Sequence, residues 1–317
     1  MKSNPTFPKR VASIDIGSNT ILLLIAEIER GILKPLLEKE TVVRLGEGLQ
    51  ENAILTEGAM ERGIQTLTQY LKECEEMGVQ RTFVAGTSPL REAKNSNHFL
   101  RTVRDRLNLS IEIISGEEEA KLSFLAVARD LKEKKRSVLV VDVGGGSTEF
   151  ISGEGERITH WVSLPIGSVR FTEQFLLSDP VQERECDRME REILKHLKKI
   201  PNPRKPFLTV AVGGTATTLA SVEQGLTEFD PKKIHHFILN RAALGDQLLL
   251  LRSKTLDERR RIPGLPSARA DVILAGGAIL YLAMEKLGCP SVLISCHGVR
   301  YGLIYKKIAD CGLRTAE

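Results

Sequence analysis

Three glycine-rich stretches each follow an apolar run: Gly17-Ser18-Asn19, Gly144-Gly145-Gly146-Ser147-Thr148 and Gly213-Gly214-Thr215. Glycine reaches positive φ and lets successive backbone N–H groups point at one anion, while small hydroxyls add donors without bulk. Any one such stretch is equally an ordinary hairpin turn. Three of them, two echoing each other, point to phosphate. None has P-loop spacing and none is a G-x-G-x-x-G opening a helix, so a phosphate cradle of another design is expected.

The acids come next. Asp15 and Asp142 end the two echoing apolar runs, just before their turns. A carboxylate there repels phosphate unless a cation lies between, and magnesium takes one or two carboxylates together with substrate oxygens and water. The alternative is an aspartate that caps its own turn. The metal reading is preferred for Asp142, and Glu149 is near enough to join it. Glu117-Glu118-Glu119 follows Ser115-Gly116. Ser115 with Glu118 fits a capping box, and acids suit the first turn of a helix. Capping accounts for one or two of these glutamates and leaves one to orient a water as general base. Arg91 follows a strand and a turn, where it either forks a phosphate or forms a surface ion pair.

These residues need elements to hold them. The stretches Val11-Ala-Ser-Ile-Asp15-Ile-Gly17 and Val138-Leu-Val-Val-Val-Asp142-Val-Gly144 share one plan: buried strand, acid, glycine turn, return strand. That is a β-hairpin signature, and its repetition argues for two similar lobes. Between and after the hairpins, helical spacing over 58–77, 98–107, 117–131, 183–197, 216–223 and 271–287 alternates with strand patterns over 81–85, 111–114, 207–212 and 291–295. Mixed elements throughout mean α/β. Pro201, Pro203 and Pro206 mark a loop. The lobe boundary is expected between residues 125 and 135, which gives lobes 1–125 and 126–299, with 300–317 open to packing back on the first.

The 317 residues suit two domains, and 42% hydrophobic with 27% charged content suits a globular chain. No apolar run approaches a membrane span and no signal peptide is legible, so a cytoplasmic protein is expected. Five cysteines are scattered without metal spacing, as a reducing compartment allows. The net charge is +4. Basic runs at 132–136, 195–199 and 259–261 are read either as solvated faces or as surfaces that attract a polyanion. Four tyrosines and one tryptophan offer little stacking surface for nucleic acid.

In this order the segments resemble the exopolyphosphatase/guanosine pentaphosphate phosphohydrolase family in its short, two-domain form. Besides the stretches above, the resemblance rests on Thr87-Ser-Pro-Leu-Arg91-Glu-Ala-Lys-Asn95, Leu164-Pro-Ile-Gly167-Ser-Val-Arg170, Asp230-Pro-Lys-Lys-Ile-His235 and Arg269-Ala-Asp271-Val-Ile-Leu-Ala-Gly276. It implies two actin-like (ribonuclease H-like) lobes with the active site in a central cleft. It implies a magnesium-dependent hydrolase, with another divalent cation admissible, that cleaves terminal phosphoanhydrides of inorganic polyphosphate or guanosine penta- and tetraphosphate. Glu119 resembles the family's catalytic base, Asp142 and Glu149 its metal- and water-handling carboxylates with Asp15 beside them, and Arg91 a catalytic arginine. The glycine stretches resemble its phosphate cradles and Arg269 a second arginine, while His235 matches a motif that suits a structural role equally. Tyr301 departs from the family, where a glutamate is common. A homodimer is compatible with the sequence; nucleic acid and membrane partners are not expected. Two rival readings are a kinase or ATPase of the same architecture, and an alarmone sensor without turnover.

Overall fold

The computed structural model describes residues 8–133, 136–201 and 207–311. The chain divides into two compact units, one formed by 1–126 with 299–317 and the other by 127–298.

The first unit is built on strands β1 (Arg10–Ile16), β2 (Thr20–Glu29), β3 (Ile32–Val42), β4 (Arg81–Gly86) and β5 (Glu112–Ile113), in the order β3-β2-β1-β4-β5. Strands β1, β2 and β3 form an antiparallel meander, and β4 and β5 add in parallel beyond β1. Both faces are covered. Ile14, Ile16 and Leu23 pack in one core with Leu67 and Phe99, whereas Val11, Leu24 and Ala26 pack in another with Leu122, Ile304 and Ile308. The period-2 alternation of the strands sends residues to both. The helix Val299–Asp310 belongs to this second core, and Tyr301 is buried in it.

The second unit repeats the plan with β6 (Ser137–Val143), β7 (Thr148–Glu154), β8 (Arg157–Leu164), β9 (Leu208–Val212), β10 (Ile238–Asn240) and β11 (Ser291–Ile294). Their order is β10-β11-β9-β6-β7-β8. Strands β6, β7 and β8 form the meander, β9 and β11 add in parallel, and β10 closes the edge antiparallel. Helix Ile273–Lys286 is apolar nearly all round and buried on most sides, as a core helix must be. The shared order of a three-stranded meander and two parallel additions makes each unit an actin-like α/β lobe, and the hairpin echo in the sequence is its first half.

Several local expectations need correction. Gly213-Gly214-Thr215 is not a turn: the helix Gly213–Glu223 begins at Gly213, directly after β9. Arg91 lies in a short helix, Ser88–Glu92, rather than after a simple turn. The helix expected over 271–287 starts at Ile273, because a 3-10 turn at Ser267–Arg269 precedes it. Arg259 of the basic run at 259–261 is 3% exposed and donates from Nε to the Leu251 carbonyl, so it is no part of a polyanion-attracting surface. Pro203, Pro206, Lys134, Lys135 and residues 312–317 lie outside the described residues.

Candidate active site

In the first unit the candidate residues gather at the carboxyl ends of the parallel strands β1, β4 and β5, where open α/β sheets bind ligands. Asp15 sits near the end of β1, opposite Leu22 of β2 and beside Ala85 of β4. The turn that follows is held from behind. The Gly17 N–H donates to the Thr20 carbonyl, the Ser18 carbonyl accepts from Gly46, and the Asn19 carbonyl accepts from both Val43 and Arg44. An added Cβ on Gly46 would come within 3.0 Å of the Ser18 Cβ and press on the turn. The Asn19 side chain is 6% exposed, yet neither its amide nitrogen nor its oxygen meets a partner among the described residues. A buried carboxamide left in that state is costly, and such groups call for an explanation.

Past β5, Ser115 accepts from the Glu118 N–H at the start of helix Gly116–Asp130. The three glutamates then separate by role. Glu117 pairs with Lys121 and Glu118 with Lys306. Glu119 instead accepts from Arg91 Nη1 at 2.8 Å, in a half-buried pair. Arg91 also donates to the Ile114 carbonyl, which fixes the guanidinium against the end of β5. Arg91 is therefore not an exposed surface pair: its Nη1 is shared between Glu119 and the Ile114 carbonyl.

The second unit carries the larger constellation. Asp142 of β6 stands directly opposite Glu149 of β7 and beside Val212 of β9. Opposed residues of an antiparallel pair share a face, so two carboxylates project together at the mouth of the turn. Glu149 is 2% exposed and accepts from Ser163 Oγ at 2.7 Å. Within the turn, the Gly144 N–H donates to the Ser147 carbonyl, and Thr148 Oγ1 donates to the Ile166 carbonyl. At the end of β9, Gly213 has φ +86°, and a Cβ there would lie 2.7 Å from Asp142 Oδ1. Only glycine fits that position. The guanidinium of buried Arg269 covers Gly214, whose Cβ would meet it at 2.0–2.4 Å, and a Cβ on Gly276 would lie 2.8 Å from Thr215 Cγ2. Thus Asp142, Gly144-Gly145-Gly146-Ser147-Thr148, Glu149, Gly213-Gly214-Thr215 and Arg269 meet in one unit. Asp15, Gly17-Ser18-Asn19, Arg91 and Glu119 meet in the other.

His235 joins a different group. Asp130 accepts from His235 Nε2 at 3.2 Å and from His236 Nε2 at 2.6 Å, and His297 Nδ1 lies 3.5 Å away. Asp130, His235 and His297 are close enough to share a metal ion. Their orientation argues otherwise. The His235 ring stacks between those of His236 and His297, with centroids at 3.9 and 4.4 Å. Its Nδ1 accepts from the Cys296 N–H, so the ring proton sits on Nε2 and is spent on Asp130. This is a carboxylate held by stacked imidazoles. Burial pushes the Asp130 carboxyl upward, but the His235 hydrogen bond and the charges of His297 and His235 outweigh it and bring the pKa down to about 2.

A family model described as the Ppx/GppA phosphatase family matches residues 24–310. The chain belongs to the Ppx/GppA phosphatase family. Within Ppx/GppA relatives, it is 33% identical to exopolyphosphatase 2 of Mycobacterium tuberculosis, over 93% of this chain and 97% of that one. It is 34% identical to the bifunctional 3-dehydroquinate synthase/phosphatase of Fusobacterium nucleatum, covering 94% of this chain but only 46% of that protein, so it spans about half of that relative. The crystal structure of the Aquifex aeolicus Ppx/GppA family member superposes with a TM-score of 0.80 at 37% identity, covering 95% and 98% of the two chains. Among the described residues no helix is long and apolar enough to cross a membrane. The sequence reading of this Ppx/GppA chain missed Ser163, Gly167 and Arg170 as parts of the site's surroundings. Gly167 and Arg170 did stand in the quoted Leu164–Arg170 motif, but their contacts are long-range and leave no local pattern.

Proposed function

We propose that this chain is a phosphohydrolase that removes terminal phosphates from inorganic polyphosphate, from guanosine pentaphosphate, or from both. The reading is carried by the in-register pair Asp142 and Glu149 beside the triple-glycine turn. Two carboxylates on one face next to a backbone anion cradle are self-defeating without a cation between acid and phosphate. An all-oxygen donor set of two carboxylates suits a hard ion, so the residues fit magnesium. Asp142 and Glu149 are its proposed holders. When bound, the ion would neutralise phosphate charge and favour departure of the leaving oxygen.

The chain's own groups do the rest. Glu119, oriented by Arg91, accepts a proton from the attacking water. The water oxygen bonds to the terminal phosphorus as the bridging P–O bond breaks, and the shortened chain leaves with that electron pair. The amides of Gly145, Gly146 and Ser147, the Asn19 carboxamide, the hydroxyls of Ser18, Ser147 and Thr215, and Arg269 hold phosphate oxygens, whereas the Thr148 hydroxyl is spent on the Ile166 carbonyl. The test is phosphate release from polyphosphate and from guanosine pentaphosphate, side by side, with magnesium and with EDTA. Loss of turnover in EDTA and recovery with magnesium are expected, and Asp142→Asn should raise the magnesium needed for half-maximal rate. Undiminished turnover in EDTA would overturn the metal role. ATP turnover exceeding both substrates would favour a kinase or ATPase instead.

A further inference from the structure

The triple-glycine turn has a back side that neither the family motif nor the proposed chemistry assigns. Behind it runs the segment from Ile166 into helix Ser168–Phe175. The Gly144 carbonyl accepts from the Ser168 N–H at 2.9 Å, and the Gly145 carbonyl accepts from the Val169 and Arg170 N–H groups at 3.0 and 3.1 Å. The Gly146 carbonyl accepts from Arg170 Nε at 2.7 Å. Three successive carbonyls therefore point to one side.

A planar trans peptide directs its N–H opposite to its C=O. The N–H groups of Gly145, Gly146 and Ser147 consequently point away from helix Ser168–Phe175, and none of the three meets a protein acceptor among the described residues. They form an anion nest. The first two peptides are locked by backbone donors. The third, Gly146–Ser147, is held in this bonding pattern by a side chain, and glycine lets a peptide flip at little steric cost. A flip there would replace the Ser147 N–H with a carbonyl oxygen facing the phosphate. The close approach that makes this locking feasible depends on Gly167, where a Cβ would lie 2.3 Å from the Gly145 oxygen and 2.5 Å from the Gly146 carbonyl carbon.

We propose that Arg170 is a positioning residue that fixes the Gly146–Ser147 peptide so that its N–H serves the bound phosphate. This rests on the proposed role of the turn as a phosphate site. The experiment compares wild type with Arg170→Met, which keeps the apolar stem without a donor, and Arg170→Lys, which keeps a donor. Kinetics on polyphosphate are paired with amide chemical shifts during titration with inorganic phosphate. Losing an oriented donor from such a hole typically costs about 100- to 1,000-fold, so a partly populated flip should lower kcat/KM by about 10- to 100-fold in Arg170→Met. The loss should appear in kcat as well as KM, with the thermal midpoint near wild type and partial recovery in Arg170→Lys. In wild type, phosphate should shift the Gly145, Gly146 and Ser147 amides; in Arg170→Met the Ser147 response should shrink selectively. If wild type shows no shift at these amides, the phosphate-site reading fails. If it shows the shifts and Arg170→Met keeps both them and the rate, the positioning role fails. Should Arg170→Met not fold, Arg170→Lys decides: an intermediate rate and a reduced Ser147 response are expected, and wild-type values for both would overturn the proposal.

Discussion

At the scale of single residues, the Arg91–Glu119 pair makes the sharpest prediction. Glu119→Gln keeps the size and hydrogen-bonding reach of the side chain and can still accept from Arg91 Nη1. It removes the proposed base. General-base catalysis contributes about 100- to 10,000-fold, so turnover should fall by that order while the thermal midpoint and substrate affinity hold. A variant with more than half the wild-type rate would remove Glu119 from the chemistry. Asn19 makes the complementary case. Its carboxamide is buried and lacks a partner among the described residues. An unsatisfied buried polar group costs about 1–3 kcal/mol. Asn19→Ala should therefore leave thermal stability equal or raised while KM for polyphosphate rises. A large drop in thermal midpoint would show that the amide serves the fold.

At the scale of elements, the two hairpins were legible because each packs acid, glycine and apolar run into one short stretch. Their meaning differs once paired. Asp142 faces Glu149, but its counterpart Asp15 faces Leu22, so the echo carries the scaffold and not the second carboxylate. What the sequence hid depends on distant partners. Gly213 reads locally as a turn, yet helix starts there, and its positive φ and the approach of Asp142 Oδ1 reserve the position for glycine. Arg259 reads as part of a basic surface run, yet it is buried against the Leu251 carbonyl. The imidazole clamp is of the same kind, for it joins the end of helix Gly116–Asp130 to residues more than one hundred positions away. Its behaviour with pH follows from the depressed Asp130 pKa. A lowered folded-state pKa contributes stability that is present above the unfolded value of 3.8 and is lost as pH falls through about 2. The shift corresponds to about 2 kcal/mol. Asp130→Asn should lower stability by that order at neutral pH and flatten the decline between pH 4 and 2, read from denaturant midpoints. Parallel acid limbs for variant and wild type would show that the clamp contributes nothing.

At the scale of the molecule, recognition of a long polyanion divides into short-range and long-range parts. The glycine nest, Arg269 and Asn19 would act on a terminal phosphate through direct hydrogen bonds, which salt screens poorly. Exposed cations act on distant parts of a chain, and their attraction is screened beyond about 8 Å at physiological salt. Binding of a polyanion releases counterions and weakens steeply as salt rises. With a net charge of only +4, the attraction must come from local patches rather than from the whole surface. The run at 259–261 offers two candidates and not three. Arg259 is buried, so neutralising it would test folding. Arg260 is exposed and bonded to Asp257, which reduces its pull, and Arg261 is exposed. Raising salt should therefore weaken apparent affinity for long polyphosphate far more than for a short oligomer or the guanosine substrate. Arg260→Gln with Arg261→Gln should reproduce part of that selective loss without lowering the thermal midpoint. Equal effects of salt and of the double variant on long and short substrates would confine recognition to the terminal-phosphate contacts and leave these arginines as solvated surface.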